Sequence, residues 1–224
     1  MSVRAAAGRT TPARGQHYLA DRRLAAELAS AADLNPDDLV VEVGAGFGRL
    51  TGELASRAGR VVAIEADPRT AARLASRYRD RSQVTVVTGD ALRVPLPRRP
   101  FKVVANPPFA LTSGLLQRLL DECLPQLQRA DLVLEWGAAL GLCAISPPSR
   151  RSLPWQPWFE FVLARRLAAD RFVPAPACDA AVVSIRRRRR PLLREHDAPA
   201  FRRFARRQPV GDIWELVDRF GRSP

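Results

Sequence analysis

The segment Asn106-Pro107-Pro108-Phe109, directly after the apolar run Phe101–Ala105, carries the residue types in this chain best suited to chemistry. Prolines fix φ and lack an N–H, so the carbonyl oxygens of the segment stay available as acceptors. The Asn106 amide oxygen and a prolyl carbonyl can accept both hydrogens of an NH2 group, and Phe109 offers a ring face for stacking. The segment therefore favours a flat ring with an exocyclic amine, such as adenine or cytosine. A Pro-Pro turn that only closes a core strand is the alternative interpretation.

A second motif, Glu42-Val43-Gly44-Ala45-Gly46-Phe47-Gly48, lies between a strand-like run and a helical pattern that begins at Arg49. The dinucleotide fingerprint G-x-G-x-x-G would need a glycine at position 49. The pattern E-x-G-x-G-x-G is instead that of S-adenosylmethionine enzymes, whose cofactor has a sulfonium and an ammonium but no pyrophosphate to place at a helix N-terminus. We therefore predict S-adenosylmethionine as the cofactor, in contact with Glu42, Gly44, Gly46 and Gly48.

Acidic residues follow the next two predicted strands. Glu65 closes the apolar run Val61–Ile64, at the offset where a carboxylate meets ribose hydroxyls, and Asp67 is the next candidate for that contact. Asp90, in Gly89-Asp90-Ala91, is a candidate acceptor for the adenine amine of the cofactor. Because open α/β sheets bind ligands at the carboxyl ends of their strands, these motifs are expected to share one site. The predicted cofactor contacts here are Glu65, Ala66, Gly89, Asp90 and Ala91.

These motifs need a sheet to position them, and strand and helix patterns alternate along the chain as such a sheet requires. The strands are expected near 39–43, 60–65, 84–87, 101–105 and 131–135, and the helices near 17–31, 49–58, 68–79 and 112–121. The alternation predicts an α/β fold, a Rossmann-like, doubly wound and mostly parallel sheet. A helix at 157–169 and a strand at 180–186 are expected to complete it, with an antiparallel edge.

Composition divides the chain into a disordered basic arm at 1–14, a catalytic domain at 15–185 and a short basic helical segment at 186–224. The net charge of +13 and the pI of about 11.3 indicate a polyanionic partner. Of the 36 lysine and arginine residues, only Lys102 is a lysine. Codon bias explains this preference for arginine over lysine, but it does not explain the excess of positive over negative charge. We expect Arg186, Arg187 and Arg188 to contact RNA phosphates, and a solvated linker is the alternative.

Other residue types indicate which kinds of site and which classes of protein are not expected. The three cysteines lack C-x-x-C spacing, so neither a disulfide framework nor a metal site is expected. Since the chain has no apolar run of about 18 residues and no signal-peptide pattern before Arg14, we expect neither export nor membrane insertion, and a cytoplasmic location.

In their order along the chain, these motifs resemble those of the rRNA adenine N6-methyltransferases. The resemblance covers roughly residues 14 to 190 and rests on Gly15-Gln16-His17-Tyr18-Leu19, Glu42 to Thr51, Glu65, Gly89-Asp90-Ala91, Asn106 to Phe109, and Phe172-Val173-Pro174-Ala175-Pro176. The chain is most similar to the Erm branch, which modifies 23S rRNA. The other branch comprises the 16S rRNA dimethyladenosine transferases.

The chain departs from the family pattern at three places. His17 stands where the family has an asparagine that helps to hold the methionine end of the cofactor. Asn-Pro-Pro-Phe replaces Asn-Ile/Leu-Pro-Tyr/Phe and is also the signature of DNA adenine methyltransferases. Glu135-Trp136-Gly137 stands where many Erm enzymes have Gln-Arg-Glu, so no family role is carried over to these residues.

The resemblance implies methylation of an adenine N6 in 23S rRNA, and resistance to macrolides, lincosamides and streptogramin B, by a cytoplasmic monomer. A 16S rRNA dimethyladenosine transferase and a DNA adenine N6-methyltransferase are the alternatives, and a non-catalytic RNA-binding relative would be expected to lack Glu42, Glu65 or Asn106. Catalysis is assigned to Asn106, Pro107 and Phe109, with a flipped adenine stacked between Phe109 and Phe172. The remaining expected cofactor contacts are Gln16, His17, Leu19 and Asn106.

Overall fold

The computed structural model describes residues 16–144, 151–208 and 212–222, and the basic arm predicted at 1–14 lies outside them. Within these residues the strands are β1 (Tyr18–Leu19), β2 (Leu39–Val43), β3 (Arg60–Glu65), β4 (Val84–Thr88), β5 (Phe101–Ala105), β6 (Leu127–Glu135), β7 (Phe159–Leu167), β8 (Phe172–Val173) and β9 (Ala180–Arg187). The helices are α1 (Arg22–Ala31), α2 (Arg49–Ala55), α3 (Pro68–Tyr78), α4 (Thr112–Gln117), α5 (Trp136–Cys143), α6 (Ala198–Arg207) and α7 (Ile213–Gly221).

A seven-stranded sheet with the order β4-β3-β2-β5-β6-β9-β7 forms the centre of the fold. β2 pairs in parallel with β3 and β5, β3 with β4, and β5 with β6. The predicted α/β class with a mostly parallel sheet is therefore confirmed. The chain winds in opposite directions from β2 and from β5, so the crevice between their carboxyl ends is the place where such sheets bind ligands. Gly44 and Asn106 are the first residues after these two strands.

The sheet is covered by apolar layers on both faces. Val41 and Val103 belong to one buried cluster, and the neighbouring residues Val40 and Val104 belong to another. Alternate residues of a strand point to opposite faces, so β2 and β5 are buried on both sides, as parallel strands usually are. This double burial explains why their sequences are continuous apolar runs.

One prediction about the far end of the sheet is wrong. Residues 157–169, predicted as a helix, form the edge strand β7, whose central residues are exposed. Leu, Ala and Arg in this stretch favour helices, and an exposed strand lacks the alternating apolar pattern that would have revealed it. The strand predicted at 180–186 is confirmed as β9, which lies between β6 and β7 and pairs antiparallel with both, so the edge pairing is antiparallel as expected.

A two-stranded pair outside the main sheet joins distant parts of the chain. β1 pairs with β8 in antiparallel register, with Tyr18 opposite Val173 and Leu19 opposite Phe172. Leu19 and Phe172 are buried against α1 and the centre of the sheet. We call residues 18–19 and 172–173 the clasp. Because of it, the predicted helix 17–31 begins only at Arg22.

The C-terminal helices pack on the catalytic domain, as their apolar spacing predicts. Phe201 is fully buried and contacts Trp158, which lies just before β7, with ring centroids 5.8 Å apart. The indole N–H of Trp158 donates to the Leu193 carbonyl at 3.0 Å. β9 extends to Arg187, so the domain boundary predicted at 186 falls inside the last strand.

No helix within the described ranges is both long enough and apolar enough to cross a membrane.

Candidate cofactor and substrate site

A cavity of about 180 Å³ lies at the crevice between the carboxyl ends of β2 and β5. The predicted site residues that line it are Gln16, His17, Leu19, Glu42, Gly44, Glu65 and Asn106. Sequence reasoning missed its other lining residues, which are Tyr18, Ala45, Phe47, Arg49, Leu50, Pro108 and Val173. The motifs at the ends of β2, β3 and β5 therefore converge with the Gln16–Leu19 segment as expected, while Val173 on the other strand of the clasp was not predicted to line the cavity.

The glycine turn after β2 has three positive φ angles, +72° at Gly44, +54° at Gly46 and +78° at Gly48. A Cβ on Gly46 would lie 2.9 Å from the Tyr18 ring, and one on Gly48 would lie 2.4 Å from Leu74 Cδ1 of α3. These two glycines therefore make room for neighbouring side chains, and neither lines the cavity. Gly44 does line it, and faces Pro108.

Glu65 holds the glycine turn in place. One carboxylate oxygen accepts the Gly46 N–H at 2.8 Å, and the other accepts the Asp67 N–H at 2.9 Å. The residue is buried, with 3% of its surface exposed. Each carboxylate oxygen has a further lone pair, so Glu65 can still accept the ribose hydroxyls that the sequence assigns to it.

Glu42 is buried at the floor of the cavity, where it accepts a 2.6 Å hydrogen bond from the Thr51 hydroxyl. Burial raises the pKa of its carboxyl group to about 8. The negative charge of Glu65 raises this pKa further, while the Thr51 hydrogen bond opposes the shift. A buried carboxyl at this position can therefore receive a cationic group, which would restore its ionised form.

The raised pKa predicts a pH dependence of stability. Between the ordinary pKa of a glutamate and about 8, the folded protein binds more protons at Glu42 than the unfolded chain does. Stability therefore falls as pH rises through this window. Glu42→Gln keeps an acceptor for Thr51 but does not titrate. We expect the melting temperature of the cofactor-free wild type to drop more than that of Glu42→Gln between pH 6 and 8.5, and parallel curves would refute the assignment.

The Asn106 side chain connects the end of β5 to His17, the residue before the clasp. Its Nδ2 donates to the His17 carbonyl at 2.7 Å, and this fixes the amide orientation because a carbonyl only accepts. The other amide atom, Oδ1, is buried and has no hydrogen-bond partner among the described residues. An unpaired buried acceptor costs free energy, so this oxygen fits a bound group that donates an N–H.

The His17 ring also contacts residues next to the clasp. Its Nδ1 donates to the Pro174 carbonyl at 2.9 Å, and its imidazole lies against Phe109 with centroids 5.5 Å apart. Both contacts differ from the role in binding the methionine end that the family asparagine implies, although His17 lines the cavity. His17 thus links Asn106, Phe109 and the segment after β8.

The expected two-sided stack on a flipped base is not formed by Phe172. Its side chain is 2% exposed and packs in the core, because the neighbouring Val173 takes the outward position in β8. Val173 is 58% exposed and lines the cavity. Phe109 starts a 3-10 turn after Pro108 and is partly buried. The predicted role of Phe172 is therefore corrected, and Phe109 is the aromatic residue next to Asn106.

Besides Gly46 and Gly48, four more predicted cofactor contacts lie outside the cavity lining: Ala66, Gly89, Asp90 and Ala91. Asp90 caps its own turn, since Oδ1 accepts the Leu92 N–H at 2.9 Å, and it remains about half exposed. Arg118, a buried residue that the sequence did not single out, donates to the carbonyls of Ala91 and Val94. It fixes the turn after β4 against α4.

The arginine run 186–190, whose first two residues end β9, lies at the edge of the sheet opposite the site. β9 is antiparallel to β6, so Arg186 pairs beside Arg129 near the start of β6. Arg187 donates to the Leu124 carbonyl and to Glu195, and Arg188 forms a 2.7 Å ion pair with Glu160. Arg187 and Arg188 thus hold the C-terminal segment on the sheet, whereas Arg186 is exposed, and the phosphate contacts expected of Arg186, Arg187 and Arg188 stay a prediction.

Comparison with known proteins agrees with this geometry. The chain matches the sequence profile of the ribosomal RNA adenine dimethylase family over residues 9–209. It is 32% identical over 191 residues to an rRNA adenine N-6-methyltransferase from Bacillus licheniformis, covering 85% of this chain and 67% of that protein. It is 34% identical over 179 residues to the mycinamicin-resistance protein MyrB of Micromonospora griseorubida, covering 80% of this chain and 56% of that protein.

Among solved structures, the crystal structure of the 23S rRNA methyltransferase ErmE superposes with a TM-score of 0.78 at 30% identity. The match covers 90% of this chain and 84% of that one. The family profile, the relatives and the fold thus agree with the strand-end motifs of Glu42, Glu65 and Asn106, and the chain belongs to the ribosomal RNA adenine dimethylase family.

Proposed function

We propose that this protein uses S-adenosylmethionine to methylate the exocyclic N6 of one adenine in 23S rRNA, and thereby confers resistance to macrolides, lincosamides and streptogramin B. The observation that carries the proposal is the buried, unpartnered Oδ1 of Asn106 at the edge of the cavity. An amine hydrogen of adenine is the kind of donor that this oxygen lacks. We further propose that the protein acts as a monomer in the cytoplasm.

Asn106 and Pro107 act on the target by positioning it. Adenine N6 is a poor nucleophile because its lone pair is delocalised into the ring. Hydrogen bonds from N6–H to Asn106 Oδ1 and to the Pro107 carbonyl favour a pyramidal nitrogen whose lone pair points away from the ring. No strong general base is needed, since the alkylated nitrogen is acidic and loses its proton to water. Positioning of this kind is worth about 7–11 kcal/mol of the barrier.

The cavity fits the cofactor by its donor set and its shape. When bound, S-adenosylmethionine supplies an electrophilic methyl group on a sulfonium centre. Glu65 offers free lone pairs to the ribose, Glu42 offers a carboxyl to a cationic group, and Gly44 leaves room for close approach. Tyr18 and Phe47 form an aromatic pair at the mouth, 5.2 Å apart, which helps to exclude water.

An adenine inside paired RNA cannot reach this cavity, so the base must be extruded. Phe109 provides one stacking face, and Val173, the exposed neighbour of Phe172, is an apolar residue of the cavity lining. The relatives support an rRNA substrate over DNA, and the similarity to a 23S rRNA methyltransferase and to a mycinamicin-resistance protein supports 23S over 16S rRNA.

The direct test incubates the protein with tritiated S-adenosylmethionine and separate 16S and 23S rRNA transcripts, and then maps the label by primer extension. We expect label at one adenine of the 23S transcript. Label only in 16S rRNA would assign the protein to the dimethyladenosine transferases, and label in neither RNA would overturn the proposal. Expression in a susceptible bacterium should raise the inhibitory concentration of a macrolide, whereas an Asn106→Ala variant should not.

Phosphate contacts are expected from exposed arginines on the same edge of the sheet as Asn106. Arg22 begins α1 directly after the clasp, and Arg69 lies in the first turn of α3 after β3. Each lost phosphate contact should lower the slope of log K against log salt by roughly 0.7–0.9. The double variant Arg22→Ser/Arg69→Ser should therefore show a flatter salt dependence of RNA binding.

The matched control is Arg189→Ser/Arg190→Ser, which removes the same charge from exposed positions at the opposite edge. Arg187 and Arg188 are kept, because serine there would break contacts of the folded protein. We expect the control to keep the wild-type slope. A flattened slope in the control alone would indicate that the arginine run, and not Arg22 and Arg69, contacts the RNA phosphates.

A further inference from the structure

The residues at the end of β6, where the chain departs from the family pattern, form a compact stack with the end of β7. The Arg166 guanidinium lies over the Trp136 ring, 4.7 Å from its centroid. Asp179 holds the same guanidinium from the side, with hydrogen bonds of 2.8 Å from Nε and 2.7 Å from one terminal nitrogen. We call Trp136, Arg166 and Asp179 the Arg166 stack.

The stack is rigid on its inner side and open on its outer side. Trp136 packs partly against the main apolar core, and Asp179 also accepts the Ala169 N–H at 3.0 Å. The Arg166 side chain nevertheless remains 62% exposed. A guanidinium with one face on an indole and one edge on a carboxylate has its plane fixed, and its second face is available to another flat group.

The stack lies on the same edge of the sheet as the catalytic segment. Glu135 at the end of β6 and Leu167 at the end of β7 both pair with Ala180, the first residue of β9. Asn106 follows β5, the neighbour of β6 on the other side. Strands are about 4.8 Å apart, so the ends of β5 and β7, which are three spacings apart, are about 14 Å from each other. A short run of nucleotides spans this distance, since stacked nucleotides rise about 3.4 Å each.

Charge decides which part of a nucleotide fits. The positive charge of Arg166 is already paired with Asp179, and the exposed carboxylate of Glu135 is nearby at the end of β6. A phosphate would be repelled by these two acids, whereas the flat, neutral face of a base would not. Single-stranded bases stack on aromatic rings and on arginine planes in RNA-binding proteins.

We propose that the exposed face of Arg166, fixed by Trp136 and Asp179, is a stacking shelf for one unpaired nucleobase of the substrate RNA close to the target adenine. This assignment rests on the proposed function, since it requires an RNA substrate at Asn106. The shelf helps to select the target by requiring an unpaired base at a fixed distance from it, in addition to the adenine itself.

The decisive variant is Arg166→Lys, which keeps the positive charge and an ion pair with Asp179 but removes the planar guanidinium group. Arg165→Lys is the matched control, because Arg165 is the exposed neighbour on the same strand and pairs with Glu27 of α1 at 2.7 Å. On the 23S rRNA transcript, we expect Arg166→Lys to raise KM for RNA about tenfold at an unchanged kcat, the size of a lost base stack. We expect Arg165→Lys to match the wild type.

A second measurement separates stacking from a structural role. After the methylated adenine is mapped, a short RNA around it is prepared with an abasic site at each flanking nucleotide in turn. At one position the abasic RNA should lose about tenfold in KM with the wild type and nothing more with Arg166→Lys. Equal losses for both proteins at every position, or a wild-type KM for Arg166→Lys, would overturn the shelf. Absence of methylation by the wild type would instead overturn the proposed function.

Discussion

Replacing Asn106 with alanine is expected to lower the single-turnover rate of methyl transfer by about 10²–10³-fold, the effect of losing one polar contact made to the reacting group. The variant removes Oδ1, the buried acceptor assigned to the adenine amine, and the donor to the His17 carbonyl. Calorimetry should show that affinity for S-adenosylmethionine stays within a few fold, because Glu42 and Glu65 are unchanged.

The variant Asn106→Asp distinguishes the role of the amide oxygen Oδ1 from that of the amide nitrogen Nδ2. Aspartate keeps an acceptor for the adenine amine but cannot donate to the His17 carbonyl. We expect it to retain part of the rate that alanine loses. If Asn106→Ala instead weakened cofactor binding and left single-turnover methylation normal, Asn106 would belong to the cofactor site and not to the target site.

The second large effect is expected from Glu65→Gln. Both carboxylate oxygens of Glu65 accept backbone N–H groups, from Gly46 and from Asp67. Glutamine would turn an NH2 group towards one of these donors and would also be a weaker acceptor for the ribose. Because a hydrogen bond to a charged acceptor is about 1 kcal/mol stronger than one to a neutral acceptor, affinity for S-adenosylmethionine should fall by about fivefold for each ribose hydroxyl that Glu65 accepts. Calorimetric titration measures this directly.

Asp67→Asn is the control for Glu65→Gln. Asp67 is exposed and caps α3, where its side chain accepts the Thr70 N–H at 2.7 Å, a contact that asparagine preserves. We expect cofactor affinity close to that of the wild type. A loss of affinity in Asp67→Asn combined with none in Glu65→Gln would move the ribose contact from Glu65 to Asp67.

The central strands were predictable because each carries its own signal. β2 and β5 are apolar on both faces, and such runs between helical patterns indicate a parallel sheet. β7 carries no such signal, since most of its residues are exposed and have side chains that favour helices. The clasp strands are two residues long and exist only because the fold brings their partners together.

The same distinction applies to the site. Glu42, Glu65 and Asn106 follow from strand ends, since the end of a parallel strand fixes which edge of the sheet a residue reaches. Phe172 was assigned wrongly because sequence does not tell which residue of a short strand faces outward. The sequence also did not show that the arginine run lies at the other edge of the sheet, because the antiparallel direction of β9 reverses the edge that a residue reaches. Arg49, which donates to the Leu19 and Ala20 carbonyls, carries no motif of its own.

The clasp also sets an order of events during translation. His17, Tyr18 and Leu19 leave the ribosome early, but their partners Phe172, Val173 and Pro174 follow more than 150 residues later. A nascent chain that ends after β6 has the glycine turn and the Asn106 segment but lacks the strand that closes the cavity over them. The capacity for methylation should therefore arise late and abruptly, when β8 emerges. Incomplete chains then cannot consume the methyl donor while they are still being made by the ribosome.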